Sequence, residues 1–170
     1  MERTSFADMR CSLARGLELI GDWWSPLIIR DLFLDVVRFD DLVEDLGISR
    51  NLLTRRLKSL VENGIVERAA YSRRPMRYEY RLTEAGRDLV PAILALTAWG
   101  DRWARPKQGS PILFVHRGCG HHFQPMVTCS ACGETIDAHG VRAVPGPGGA
   151  ATRGTKVVAS RLRVAAGRSG

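Results

Sequence analysis

Residues 49–63, SRNLLTRRLKSLVEN, limit the fold more tightly than any other stretch of the chain. Leu53, Leu57 and Leu60 recur at helical spacing, and Leu52 and Val61 widen their stripe. Asn51, Thr54, Arg55 and Lys58 fall on the opposite side, with Arg50 and Arg56 flanking it. Ser49 is a strong N-cap residue, and Gly64 suits the position just past a helix C-terminus. One side of this helix must be buried. The other offers cations and small hydrogen-bonding groups, as a helix entering the major groove of duplex DNA does. A solvated amphipathic surface helix shares the pattern, so the neighbouring segments decide between the two.

Those neighbours supply a context. Residues 11–20 predict a helix with Leu13, Leu17 and Ile20 on one face and Gly21 as its stop. Ser25 is placed to cap a second helix with Pro26 at its first position. Trp24, Leu27, Ile28, Ile29, Leu32 and Phe33 surround that helix, which predicts a central buried element with Arg30 and Asp31 emerging at a rim. Residues 38–46 predict a short helix with Phe39, Leu42, Val43 and Leu46 on one face. Asp40, Asp41, Glu44 and Asp45 occupy its other face, which is expected to point away from any polyanion. A tight turn at Gly47 and Ile48 leads into the helix described first, giving a helix-turn-helix.

Two strands are predicted next, at residues 65–72 and 77–82, joined by the Arg- and Pro-rich turn Arg73-Arg74-Pro75-Met76. A hairpin directly after a recognition helix is a wing, and its tip brings Arg73, Arg74 and Arg77 to phosphate or the minor groove. Thr83 then caps a long helix reaching about residue 104. Leu89, Ile93, Leu96, Gly100 and Trp103 repeat at coiled-coil spacing, broadened by Val90, Leu94 and Trp99. That apolar surface exceeds what one small domain covers, and the surplus predicts a helix-to-helix subunit interface. Pro91 is expected to kink or divide the helix.

Charge is sorted along the chain in the same way. Residues 1–49 carry 5 basic and 10 acidic side chains, residues 50–81 carry 9 and 3, and residues 82–170 carry 11 and 5. A positive segment coinciding with the proposed reading helix and wing points to a polyanion. No window is long and apolar enough to span a membrane, and MERTSFADMR lacks an apolar signal core, so a cytoplasmic protein is expected.

These residues resemble the HxlR family of bacterial winged helix-turn-helix regulators. The resemblance rests on CSLAR at 11–15, LELIGDWW at 17–24, LIIRDL at 27–32, Arg38-Phe39 and ISRNLLTRRLKSL at 48–60. It continues through GIVER at 64–68, YEYRLTEAG at 78–86 and Ala98-Trp99-Gly100, covering about residues 9–104. It implies a cytoplasmic, nucleoid-associated homodimer joined through its first and last helices, binding double-stranded DNA at a palindromic operator. By position it implies base contact from the helix beginning at Ser49 and backbone contact from the wing. Arg50, Asn51, Thr54 and Arg55 are the candidates for base edges, since Arg and Asn pair bidentately with guanine and adenine. Arg56, Lys58, Arg73, Arg74 and Arg77 are the candidates for phosphate. Repression is the expected mode. Cys11 matches a cysteine that some members use to sense oxidants or electrophiles. With Arg10 and Arg15 beside it, a reactive thiol responding to an oxidant or small-molecule effector is the alternative to a small core residue.

Beyond the resemblance, residues 105–111 predict a linker and residues 112–144 a zinc-ribbon-like β appendage. Its signature is His116-x2-Cys119-x9-Cys129-x2-Cys132-Gly133. Two thiolates of a Cys-x-x-Cys knuckle converge on one metal, and His116 with Cys119 would complete a tetrahedral set for one zinc ion per chain. His121 and His122 remain alternatives to His116, and a metal-free turn or a Cys129–Cys132 redox pair remain alternatives to zinc. Residues 145–170, rich in Gly, Pro, Ala and Ser with five basic residues in 144–170 and no acid, predict a disordered basic tail. A metal hydrolase built on the histidine cluster is disfavoured, because no carboxylate precedes Glu134 there and the segment is too short for a pocket. A protein-interaction role for the knuckle is the further alternative. The fold class expected is therefore mainly α (α+β), a winged helix-turn-helix with a long C-terminal dimerisation helix plus the appendage.

Overall fold

The computed structural model describes residues 5–104 and 107–166. Residues 1–4, residues 105 and 106 of the expected linker, and the end of the expected basic tail lie outside the described residues. In chain order the elements are α1 (Ser12–Ile20), α2 (Ser25–Phe33), α3 (Phe39–Leu46), α4 (Arg50–Glu62), β1 (Val66–Arg73), β2 (Met76–Leu82), α5 (Glu84–Asp88), α6 (Val90–Trp103) and α7 (Lys156–Ala166).

The core gathers the apolar stripes foreseen for each element. Ile28, Ile29 and Leu32 of α2 meet Leu42 of α3, Ile48 of the turn, and Leu53, Leu57 and Leu60 of α4. Ile65, Val66, Leu82 and Val90 close it from the hairpin and α6. α2 is central, but not enclosed as its composition suggested: Leu27 and Phe33 reach the surface.

Asp31 departs from expectation. It does not emerge at a rim; its residue is 1% exposed, because it lies three positions beyond Ile28 on the buried side of α2. The Arg30 guanidinium donates to its Oδ1 from Nε at 2.8 Å and also reaches Asp45 at 3.3 Å. Burial pushes the Asp31 carboxyl above the usual carboxylate range, while Arg30 pulls the other way.

The start of α2 differs too. Ser25 is its first residue rather than its cap. Asp22 takes the capping role: its Oδ1 accepts the backbone N–H groups of Trp24 and Ser25 at 2.9 and 3.0 Å, and its Oδ2 accepts the Ser25 hydroxyl. An ionised acceptor is the stronger partner for the free N–H groups of a first turn.

β1 and β2 pair antiparallel from Val66↔Leu82 to Arg73↔Met76, with an irregularity between Ala70 and Ser72. The Tyr80 N–H also donates to the Val37 carbonyl at 2.8 Å, and Arg38 pairs with Glu79. The segment before α3 therefore docks onto the wing and fixes it to the helix-turn-helix.

The long C-terminal helix is divided, as Pro91 required: α5 ends at Asp88 and α6 begins at Val90 with the proline in its first turn. Thr83 caps α5, accepting the Gly86 N–H at 3.1 Å and donating to the Gly64 carbonyl at 2.6 Å. Gly86 is buried against the hairpin entry, and a Cβ there would stand 2.2 Å from the Ile65 carbonyl oxygen. Gly86→Ala must therefore push α5 off the sheet, and we expect it to cost about 1–3 kcal/mol. A urea melt checks this; an unchanged midpoint would contradict the packing.

The segment before α1 is tied to it from residue 5 on, because Glu18 accepts the Phe6 N–H at 2.8 Å and the Ser5 hydroxyl at 3.2 Å. Asp8 pairs with Arg153 at 3.0 Å, so this segment also meets the C-terminal region. That region is not the disordered tail its composition suggested: α7 forms over Lys156–Ala166, where Ala, Leu and Arg are strong helix formers. Among the described residues no helix is long and apolar enough to cross a membrane.

Candidate nucleic-acid interface

α4 is seated by its buried leucines, so its opposite side is fixed in direction. Ser49 caps it, accepting the Leu52 N–H at 3.3 Å. Arg50, Asn51, Thr54, Arg55 and Lys58 are all exposed. Thr54 donates to the Arg50 carbonyl at 2.8 Å, which leaves its oxygen able to accept. Lys58 lies 3.7 Å from Glu62 one turn on, an exposed pair that holds it weakly.

Two charges sit differently from the sequence reading. Arg56 is not on the cationic face: it turns back toward Asp22 at 3.3 Å, and its side chain is 29% exposed. The Asp22 carboxylate that caps α2 draws it in, so Arg56 links α4 to the start of α2. The acidic face of α3 does not point wholly away from the cations either. Asp40 pairs with Arg50 at 2.7 Å, and Arg50 also lies over the Phe39 ring at 5.0 Å. Arg50 thus stands in an exposed ion pair with α3.

The wing carries Arg73, Arg74 and Arg77 exposed around its two-residue tip, as expected. Two further arginines belong to the same surface and were not singled out by sequence. Arg38 lies over the Tyr71 ring at 5.2 Å and lines one cleft with Arg50 and Arg77. Arg68 lies over the Tyr78 ring at 4.1 Å and borders a hollow with Thr54 and Lys58. The charge count of residues 50–81 included Arg68, but only strand register shows which tyrosine it covers.

A basic helix supported by a hairpin on one side and a buried helix behind is the surface the sequence called for. The sequence profile of the HxlR-like helix-turn-helix family matches residues 19–108. The chain belongs to this family. The HTH-type transcriptional regulator Rv3095 of Mycobacterium tuberculosis is 49% identical over 137 residues, covering 81% of this chain and 87% of that protein. The solved structure of PA1607, a candidate transcription factor, has 35% identity and a TM-score of 0.72, covering 82% of this chain and 98% of that one. The redox regulator HypR in its oxidised form has 33% identity and a TM-score of 0.50, covering 54% of this chain and 96% of that one. This HxlR-like chain is therefore a transcriptional regulator with a helix-turn-helix DNA-binding fold, not an enzyme.

None of the cysteines belongs to α4 or the wing. Cys11 is half-buried at the N-cap of α1 and its side chain makes no capping bond. In the appendage, ribbon strands do not form; single bridges join Val115 to His122 and Thr128 to Thr135. Cys119 Sγ lies 3.4 Å from His116 Nδ1. The backbone N–H groups of Cys132 and Ala131, with the Cys132 side chain, hold the Cys129 thiol below its ordinary value. Each pair is thus brought together within its own turn. Among the described residues no three His, Cys, Asp or Glu side chains gather at one point.

Proposed function

We propose that this HxlR-like regulator is a repressor, acting in the cytoplasm as a homodimer on a palindromic operator. The observation that carries this reading is an apolar stripe left outside on α6. Val90, Ile93 and Leu94 enter or pack on the core, while Leu96, Trp99 and Trp103 are 57%, 59% and 66% exposed. Leu13 and Leu17 of α1 are likewise exposed. Burial of such large apolar side chains stabilises association at about 25 cal/mol per Å². A second copy of the same face gives a two-fold pair, and a two-fold pair reads an inverted repeat.

In the complex, Arg50, Asn51, Thr54 and Arg55 meet base edges. Lys58, Arg73, Arg74 and Arg77 meet phosphate, eight contacts per dimer. A mobility-shift series on the protein's own upstream DNA tests this. We expect binding at low salt, with log affinity falling against log salt at a slope of about −7 for eight phosphates. No shift at low salt would remove the reading.

A second reading concerns Cys11. It stands at the N-cap of α1, two residues before Leu13 and six before Leu17 on the proposed dimer face, and HypR is a redox regulator. Oxidation of that thiol would disturb the helix that helps set the spacing of the two reading helices. Mild diamide treatment is expected to weaken operator binding by the wild type and not by Cys11→Ser. Equal affinity before and after treatment of the wild type would eliminate the switch.

A further inference from the structure

The two turns of the appendage are copies of one another at a constant offset of 13 residues, His116 matching Cys129 and Cys119 matching Cys132. The His116 N–H donates to the His121 carbonyl at 2.9 Å, and the Cys129 N–H donates to the Glu134 carbonyl at 2.8 Å. The Gly120 N–H returns to the His116 carbonyl at 2.8 Å, and the Gly133 N–H returns to the Cys129 carbonyl at 2.8 Å. Gly120 and Gly133 have φ of 73° and 77°, the left-handed region that closes each turn. The flanking bridges, Val115 to His122 and Thr128 to Thr135, also correspond. The pattern is therefore (His or Cys)-x-x-Cys-Gly twice, with the same backbone.

Apolar burial does not explain why these turns are built. No side chain from 107 to 144 is buried, and Ile112, Leu113, Val115, Met126, Val127, Ile136 and Val141 stay exposed. A segment without a core needs another source of cohesion, and small domains find it in metals or disulfides. All the cysteines here are free thiols.

We propose that the two turns are the halves of a single intrachain zinc centre with His116, Cys119, Cys129 and Cys132 as its four ligands. Soft thiolates and an imidazole in a set of four suit tetrahedral Zn²⁺. The repeat also selects among the histidines. His121 and His122 correspond to Glu134 and Thr135, residues that pair backbones in the second turn, whereas His116 holds the position of Cys129. The eight residues between Gly120 and Cys129 are long enough for the second turn to fold back onto the first. Closure replaces three thiol protons, released to water, with three zinc–sulfur bonds and adds one bond from neutral imidazole. The first turn is already tied to the winged domain: Phe123 packs edge-on to His116 at 6.1 Å, Phe114 lies 6.5 Å from Phe123, and Phe33 of α2 lies 6.5 Å from Phe114.

The test is zinc content of the purified full chain by elemental analysis, with Co²⁺ substitution read by absorption. One zinc per chain is expected, with sulfur-to-cobalt charge-transfer bands and the intense visible bands of tetrahedral cobalt. His116→Asn, Cys119→Ser, Cys129→Ser and Cys132→Ser should each lose most of the zinc, while His121→Asn and His122→Asn keep it. Helical circular dichroism, which reports the separately cored winged domain, should stay unchanged in all six and so exclude global misfolding. Metal-free wild type, half a zinc per chain, or wild-type zinc in Cys129→Ser would each overturn the proposal.

Discussion

Replacing Arg50 and Arg55 together with alanine will cut operator affinity by about 1000-fold or more while leaving the domain folded. Each side chain stands on the exposed side of α4, and neither contributes to the core. An Arg–base contact is worth about 1–3 kcal/mol, and a dimer makes each contact twice. Four contacts at about 1 kcal/mol each reach about 4 kcal/mol, which is roughly the 1000-fold expected. The Asp40 partner of Arg50 subtracts little, because both side chains are mostly exposed and such pairs are weak. Arg56→Ala is the contrast. Its side chain faces Asp22, so it should alter stability more than specificity. Fluorescence anisotropy on operator and scrambled duplexes, with thermal melts of each variant, checks both. A loss below tenfold in the double variant would contradict the assignment of α4 as the reading helix.

Placing two carboxylates on the exposed stripe, Leu96→Glu with Trp99→Glu, will convert the proposed dimer to monomer. The fold should survive, because α6 is anchored by Val90, Ile93 and Leu94 closer to its start. Two copies of each substitution put four charges in one apolar contact, where unpaired burial of charge is prohibitive. A monomer reads one half-site, so operator affinity should fall at least about 100-fold, leaving mainly the salt-dependent attraction to phosphate. Sedimentation velocity reads the assembly state. A variant that still sediments as a dimer would place the interface elsewhere.

Periodicity and end signals made the DNA-facing part of the fold legible in the sequence. Leu53, Leu57 and Leu60 fixed which side of α4 is buried, and Ser49 fixed where it starts. Pro91 marked the division of α5 from α6, since a missing N–H acts locally. What sequence did not show depends on partners distant along the chain. Arg56 is drawn inward by Asp22, and Arg50 is met by Asp40; neither pairing is visible in a helical wheel. Asp31 looked like a rim charge because an acid rarely lies among Ile28, Ile29 and Leu32, yet helical spacing puts it there with Arg30 beside it. The tail misled through its Gly-Pro opening, which hid the helix formers of α7. In the appendage, the three histidines were indistinguishable until backbone hydrogen bonds aligned the first turn with the second.

The most direct measurement of the central claim is the stoichiometry of the full chain on a duplex carrying the inverted repeat upstream of its own gene. Sedimentation equilibrium should give two chains per duplex, with protection of both half-sites on one side of the double helix. One chain per duplex, or no complex at low salt, would contradict the account of paired α4 helices braced by arginine-tipped wings.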